Sequence, residues 1–126
     1  MGARVRDHDG WVAYVGDAMK PVSVDILGTP HKIIWCKTAQ EVDDGGRTLL
    51  DGQYDSWKSV IRIHDIERPM EDKLQTLWHE ILHGLEKILH TGDLDDRVVD
   101  LLATGITYVM LHNDFDVKSW DITQKE

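Results

Sequence analysis

In the first half of the chain, short apolar runs rich in β-branched and aromatic residues are separated by polar, glycine and proline residues. These runs and the glycines and prolines that bound them predict short strands. The predicted strands are 11–15, 22–27, 32–36 and 60–66. In the last of these, Ile61 and Ile63 alternate with polar neighbours, which predicts a half-buried strand at a sheet edge. Acidic and glycine turn residues between 41 and 53 predict a loop or an open hairpin.

After Pro69 the apolar residues recur with a period of 3.6, which predicts two helices. The first runs from Glu71 to His90, and Gly92 supplies a left-handed stop. Asp93 is expected to cap the second helix, which runs from about 94 to 112. The residues expected on the core face of the second helix are Val98, Val99, Leu102, Ile106, Val109 and Met110.

These elements predict a single α+β domain over residues 1–126, in which a small antiparallel or mixed sheet packs on two long helices. Residues 1–20 form a candidate N-terminal extension, and residues 115–126 form a polar tail. The formal charge of −9, from 14 basic and 23 acidic side chains, argues against nucleic acid or an anionic membrane as partner. With a single cysteine, Cys36, and no apolar leader or membrane span, the chain is expected in the cytoplasm.

The sequence His79-Glu80-Ile81-Leu82-His83 lies in the middle of the first predicted helix. Residues four apart share a helix face, so His79 and His83 can bind one metal ion, for which zinc is the expected cofactor. Glu80 lies about 100° further round the helix, where it can accept a proton from a zinc-bound water without being a ligand. Chance produces an HExxH sequence only about 0.02 times in a chain with this many His and Glu residues. The motif therefore predicts a zinc metallopeptidase, with a structural zinc site and two surface histidines as alternatives.

Two histidines require a third protein ligand. His90 is excluded because the seven residues that separate it from His83 span about 10 Å of helix. The alternatives are acidic residues that the second helix can bring back against the first, namely Asp93, Asp95, Asp96 and Asp100. Asp96 is preferred because it shares a face with Val99 and Ala103, and a small alanine lets two helices approach closely. Asp100 is the next choice, and the other two acids stay open.

Two segments carry a family resemblance. They are Thr76-Leu77-Trp78-His79-Glu80-Ile81-Leu82-His83-Gly84 and Asp95-Asp96-Arg97-Val98-Val99-Asp100-Leu101-Leu102-Ala103. With the strand-like segments 26–28 and 61–63 that precede them, they resemble small phage-encoded metallopeptidases of the ImmA/IrrE kind over roughly residues 22–114. One departure is an aspartate where that family usually supplies a glutamate as third ligand.

The resemblance implies a zincin-like core and cleavage of a protein or peptide substrate, such as a repressor or another host protein, in the cytoplasm of a bacterial cell. It also implies that a strand upstream of the motif holds the substrate, for which residues 60–65 are the candidate. His64 and Tyr108 are considered as oxyanion partners, against an ordinary structural role for each. The alternative function is a non-catalytic phage regulatory or interaction protein that retains a zinc-binding fold.

Overall fold

The computed structural model describes residues 20–43 and 50–115, which form four strands and three helices. The strands are β1 (Ser23–Ile26), β2 (Thr29–Cys36), β3 (Gly52–Asp55) and β4 (Val60–His64). The helices are α1 (Ala39–Val42), α2 (Met70–Leu89) and α3 (Asp96–His112). These elements confirm the predicted α+β class. The predicted strand 11–15 and almost all of the N-terminal extension and the polar tail lie outside the described residues.

The sheet is mixed, and its strand order is β1-β2-β4-β3. The hairpin of β1 and β2 turns at Leu27 and Gly28, whose φ angles of 51° and 90° suit a tight antiparallel turn. Strand β4 pairs in parallel with β2 and antiparallel with β3. It therefore lies inside the sheet, and the prediction that it forms an edge is wrong.

The edge next to β4 is β3, a strand that the hydrophobic pattern does not predict. It has only four residues, GQYD, and it follows a run of acidic and glycine residues typical of a turn. Its stability comes from pairing with β4, in which Tyr54 lies opposite Ile61. The predicted loop between 41 and 53 thus contains the end of α1 and the start of β3.

One face of the sheet packs against α2. Its core consists of Ile26, Ile33, Ile61 and Ile63 from the strands and Leu77 and Ile81 from the helix. On the opposite face, Arg62 is buried, and its guanidinium donates to the Val42 carbonyl and to the side chains of Gln53 and Asp55. Strand β4 is consequently covered on both faces rather than half-buried as predicted.

Helix α2 has nearly its predicted bounds. It begins after Pro69 and ends at Leu89, where His90 adopts a left-handed conformation (φ 56°) and donates its backbone N–H to the Glu86 carbonyl. His90 is exposed and lies beyond the last helical turn. In the described ranges, none of the helices is both long and apolar enough to cross a membrane.

Helix α3 begins two residues later than predicted. The side chain of Asp95, not of Asp93, caps it by accepting a hydrogen bond from the Arg97 backbone N–H at 2.7 Å. The residues between the helices form an extended link in which Gly92 has a φ of 85°. This link reverses the chain, so α3 returns along α2 and packs against it.

The buried face of α3 differs from the predicted core face. Val99, Ala103 and Thr107 are buried at four-residue spacing against α2. Of the predicted core residues, only Val99 belongs to this stripe, whereas Val98, Leu102 and Val109 are about half exposed (44–46%). Apolar residues lie on two sides of α3, and in the described part of the chain only one of those sides is covered.

Replacing Ile61 by Ala should lower the free energy of unfolding by about 2–5 kcal/mol, because it leaves a cavity between the sheet and α2. Ile34→Ala is the matched control, since that strand residue is 38% exposed and loses the same β-propensity. Urea denaturation measures both changes. Equal losses for the two variants would contradict the assigned core.

Candidate metal centre

The two histidines of the motif lie one turn apart on α2, with their side chains on the same face. Their imidazole rings pack edge to face, with centroids 4.8 Å apart. The two Nε2 atoms point at each other and are 3.1 Å apart. The structure therefore brings together the two rings that the HExxH spacing selects.

Asp96, the first residue of α3, adds a carboxylate to this pair. Its Oδ1 lies 3.4 Å from the Nε2 of His83. In residues 20–43 and 50–115, His79, His83 and Asp96 form the group of potential ligands whose atoms all lie within 4.8 Å of one another. Of the acids weighed from the sequence, Asp96 is thus the one that joins both histidines in this group.

The Nδ1 atom of each imidazole lies close to a further carboxylate. Nδ1 of His79 lies 2.9 Å from Oδ1 of Asp100, and Nδ1 of His83 lies 2.7 Å from Oε1 of Glu86. An ionised carboxylate can only accept a hydrogen bond, so each Nδ1 acts as the donor. Asp100 therefore lies on the Nδ1 side of His79 and is not a member of the group of potential ligands.

This arrangement leaves acceptor atoms facing one another. With the proton on Nδ1, each neutral ring directs the Nε2 lone pair towards the other ring and towards Asp96. Two nitrogens and a carboxylate oxygen at 3.1 and 3.4 Å repel one another unless a proton or a metal cation lies between them. Ligand atoms about 2.0–2.1 Å from one tetrahedral zinc are roughly 3.4 Å apart, and the separations of His83 Nε2 from His79 Nε2 and from Asp96 Oδ1 are close to that value.

Glu80 is not a member of the group and lies deeper, with only 6% of its surface exposed. Burial raises the pKa of its carboxyl group to about 7, and the nearby Asp96 acts in the same direction. His83 and a hydrogen bond from the Tyr54 backbone oppose the increase in pKa. A carboxyl group with a pKa near 7 can accept and return a proton at neutral pH.

The room for Glu80 depends on Gly52 in β3. A Cβ atom on this glycine would lie 3.0 Å from Oε2 and 3.1 Å from Cγ of Glu80, and 2.8 Å from Cγ2 of Thr76. Only hydrogen at this position lets the edge strand and α2 approach so closely. Gly52 thus positions Glu80 although it carries no functional group itself.

A cleft of about 330 Å³ opens beside these residues. It is bounded by β3, α2 and α3, and its lining includes His79, Glu80, Gly52, Asp100 and Arg68. The Arg68 guanidinium is anchored by donating to Thr76 Oγ1 at 3.3 Å. The cleft therefore joins one metal-ligand candidate, the buried acid and a cationic side chain.

Three residues of this site do not emerge from the sequence analysis. Glu86 and Arg68 belong to no recognised sequence motif, and the residues around Gly52 are typical of a turn. Helical spacing alone does predict that Glu86, three residues after His83, lies close to that histidine. Conversely, neither His64 nor Tyr108, the two considered oxyanion partners, lines the cleft. Tyr108 is exposed on α3 and stacks on His112 at 3.9 Å.

Comparison of the chain with protein-family models, curated proteins and solved structures finds no match. The geometry of the site and the HExxH sequence are therefore the grounds on which a function can be proposed.

Proposed function

We propose that this chain is a zinc-dependent metallopeptidase, a hydrolase of peptide bonds in a protein substrate. His79, His83 and Asp96 are the metal ligands, and Glu80 is the general base. The observation that carries the proposal is the convergence of two imidazole Nε2 atoms and one carboxylate oxygen, at 3.1 and 3.4 Å, next to a buried glutamate.

The composition of the donor set favours catalytic zinc. Structural zinc sites usually use cysteine and close all four positions, whereas catalytic sites combine three protein ligands with one open position. Cys36 is the one cysteine of the chain, and it is buried in the strand β2 and absent from the ligand group. The Asp96 side chain is 82% exposed, so the site is open to water and substrate on that side.

When bound, zinc lowers the pKa of a coordinated water and polarises a peptide carbonyl. The carboxylate of Glu80 accepts the proton of the attacking water and returns it to the amine of the leaving peptide. The absence of a side chain at Gly52 leaves room for this carboxylate, and the Tyr54 backbone N–H binds it. Arg68 supplies a positive charge to the same cleft.

In residues 20–43 and 50–115, no strand pairs with the outer edge of β3, and we assign this edge as the surface on which an extended substrate can pair. The His64 backbone N–H donates to the Asp51 carbonyl, so these two residues form a hydrogen-bonded pair of the ladder. In an antiparallel ladder, hydrogen-bonded pairs alternate with pairs that exchange no hydrogen bond, and Gly52 and Tyr54 belong to pairs of the second kind. Gly52 therefore directs its backbone N–H and C=O groups away from β4 and towards the edge, and so does the Tyr54 carbonyl, whereas the Tyr54 N–H binds Glu80. A substrate strand that pairs there by β-augmentation lies next to Glu80 and the cleft. This assignment replaces residues 60–65, which are internal to the sheet.

The resemblance to ImmA/IrrE-like phage metallopeptidases supports a substrate class. We assign a protein substrate of the bacterial host or phage, such as a repressor, and cleavage in the cytoplasm. We assign the sheet, α2 and α3 of this chain as the zincin-like core that the resemblance implies. The aspartate at 96, shorter than a glutamate, is compatible with the close packing of α3 through Val99 and Ala103.

The second candidate is a non-catalytic regulator that retains the zinc-binding fold. It is favoured by the outer face of α3, where apolar residues form an exposed surface of the kind that binds partner proteins. This surface includes Leu101, Leu102, Gly105, Ile106, Val109 and Met110. The two functions differ in their dependence on Glu80, which a regulator does not require.

The purified wild-type chain should contain one equivalent of zinc by elemental analysis, and added zinc should raise its melting temperature. Asp96→Asn should weaken zinc binding by more than about 100-fold. Loss of a residue that only orients a metal ligand weakens binding by about 10- to 100-fold, so a larger loss identifies Asp96 as a ligand itself. Asp93→Asn is the matched control, because Asp93 is outside the ligand group. Equal affinities of the two variants, or iron in place of zinc, would contradict the assignment.

Glu80→Gln should retain zinc and lose about 10²- to 10⁴-fold in kcat/KM, because the amide cannot accept the proton. A pool of internally quenched peptides is a suitable probe, with zinc content measured on the same samples. Hydrolysis that persists unchanged in this variant would reject peptidase activity. A biological effect that persists without hydrolysis would select the regulator.

Gly52→Ala should displace Glu80 and lower kcat/KM by at least about 10-fold while leaving zinc affinity unchanged, since small misplacements of catalytic groups have large effects. Gly105→Ala is the control, because a Cβ there meets nothing within 4 Å. The same peptide pool and a zinc titration measure the two quantities. A fully active Gly52→Ala enzyme would show that the close contact between Gly52 and Glu80 is unimportant.

A further inference from the structure

Glu86 is a buried acid that the proposed chemistry does not use. It lies on α2 three residues after His83, and only 8% of its surface is exposed. Both of its carboxylate oxygens are engaged: Oε1 lies 2.7 Å from His83 Nδ1, and Oε2 accepts the Leu94 backbone N–H at 2.6 Å. Burial of a carboxylate is costly unless its partners satisfy it, so these two contacts define its role.

The first contact determines which nitrogen of His83 is available. With Nδ1 donating to Glu86, the lone pair of Nε2 is directed towards His79 and Asp96. The opposite tautomer would place a hydrogen where the metal must bind. Glu86 thereby selects the tautomer that can act as a ligand.

The second contact holds the link between the two helices. Leu94 precedes Asp96 by two residues, in the extended segment that reverses the chain. By anchoring the Leu94 backbone to α2, Glu86 limits the movement of the segment that carries Asp96. One side chain of α2 therefore acts on ligands from both helices.

We propose that Glu86 is a positioning residue that prepares two of the three metal ligands, His83 and Asp96, before a metal ion arrives. This inference rests on the metal site proposed above. It deepens that proposal by assigning the preorganisation of the site to one carboxylate outside the ligand group.

The role requires a group that only accepts hydrogen bonds. Both partners of Glu86 are donors, so glutamine can satisfy one of them with its oxygen but presents an amide N–H to the other. Asp100 provides the contrast, because it is 65% exposed and contacts His79 through a single bond. Asparagine at position 100 keeps an oxygen that can accept that bond.

The test uses the full chain in its metal-free and zinc-loaded forms. In the metal-free wild type, ¹⁵N-histidine NMR at alkaline pH, where imidazoles are neutral, should show His83 protonated on Nδ1. Glu86→Gln should give a mixture of tautomers, and its zinc affinity, measured against a chromophoric chelator, should fall about 10- to 100-fold. Asp100→Asn should lose less affinity than Glu86→Gln.

Two results would overturn the proposal. One is wild-type His83 protonated on Nε2, which can be observed even if the variant does not fold. The other is a folded Glu86→Gln chain, checked by near-UV circular dichroism, that binds zinc as tightly as the wild type. If the wild type itself binds no zinc, the proposed function fails, while the tautomer measurement still decides whether Glu86 orients His83.

Discussion

The candidate metal centre depends on the approach of three acceptor atoms to one another. Nitrogen atoms of His79 and His83 and an oxygen of Asp96 converge at 3.1 and 3.4 Å, although none of them can donate to another when both rings are neutral with Nδ1 protonated. Such an arrangement is unfavourable by itself and becomes favourable around a cation. The rest of the fold supplies the packing that holds it, chiefly the contact of α3 with α2 through Val99 and Ala103.

Around this point the chain arranges carboxylates in distinct environments, and the environment decides what each can do. Asp96 is exposed and lies near the Nε2 atom of His83, whereas Asp100 and Glu86 contact the Nδ1 atoms of the two rings. Glu80 is buried between α2 and β3, where loss of water raises its pKa. In the proposed site, the same functional group therefore serves as a ligand, as an orienting acceptor and as a base, as in other sites where carboxyl groups are separated by environment.

The edge strand β3 links the sheet to this chemistry. Its pairing with β4 leaves the backbone groups of Gly52 directed away from β4, and the same glycine gives Glu80 room against the sheet. Neither property is visible in the composition of the segment, which has the residues of a turn. The strand exists because β4 offers a partner, so its recognition requires the long-range pairing that hydrophobic alternation does not encode.

Local spacing determined what the sequence alone could establish. Helical periodicity places residues i and i+4 on one face, so the bounds of α2, the pairing of His79 with His83 and the offset of Glu80 follow from the order of residues. Tertiary structure decided the rest. The choice of Asp96 over Asp100, the buried stripe of α3 and the contacts of Glu86 depend on how far the link after α2 turns and how α3 is rotated about its own axis. Those quantities arise from packing between distant residues, and apolar residues on two sides of α3 left its rotation undetermined in the sequence.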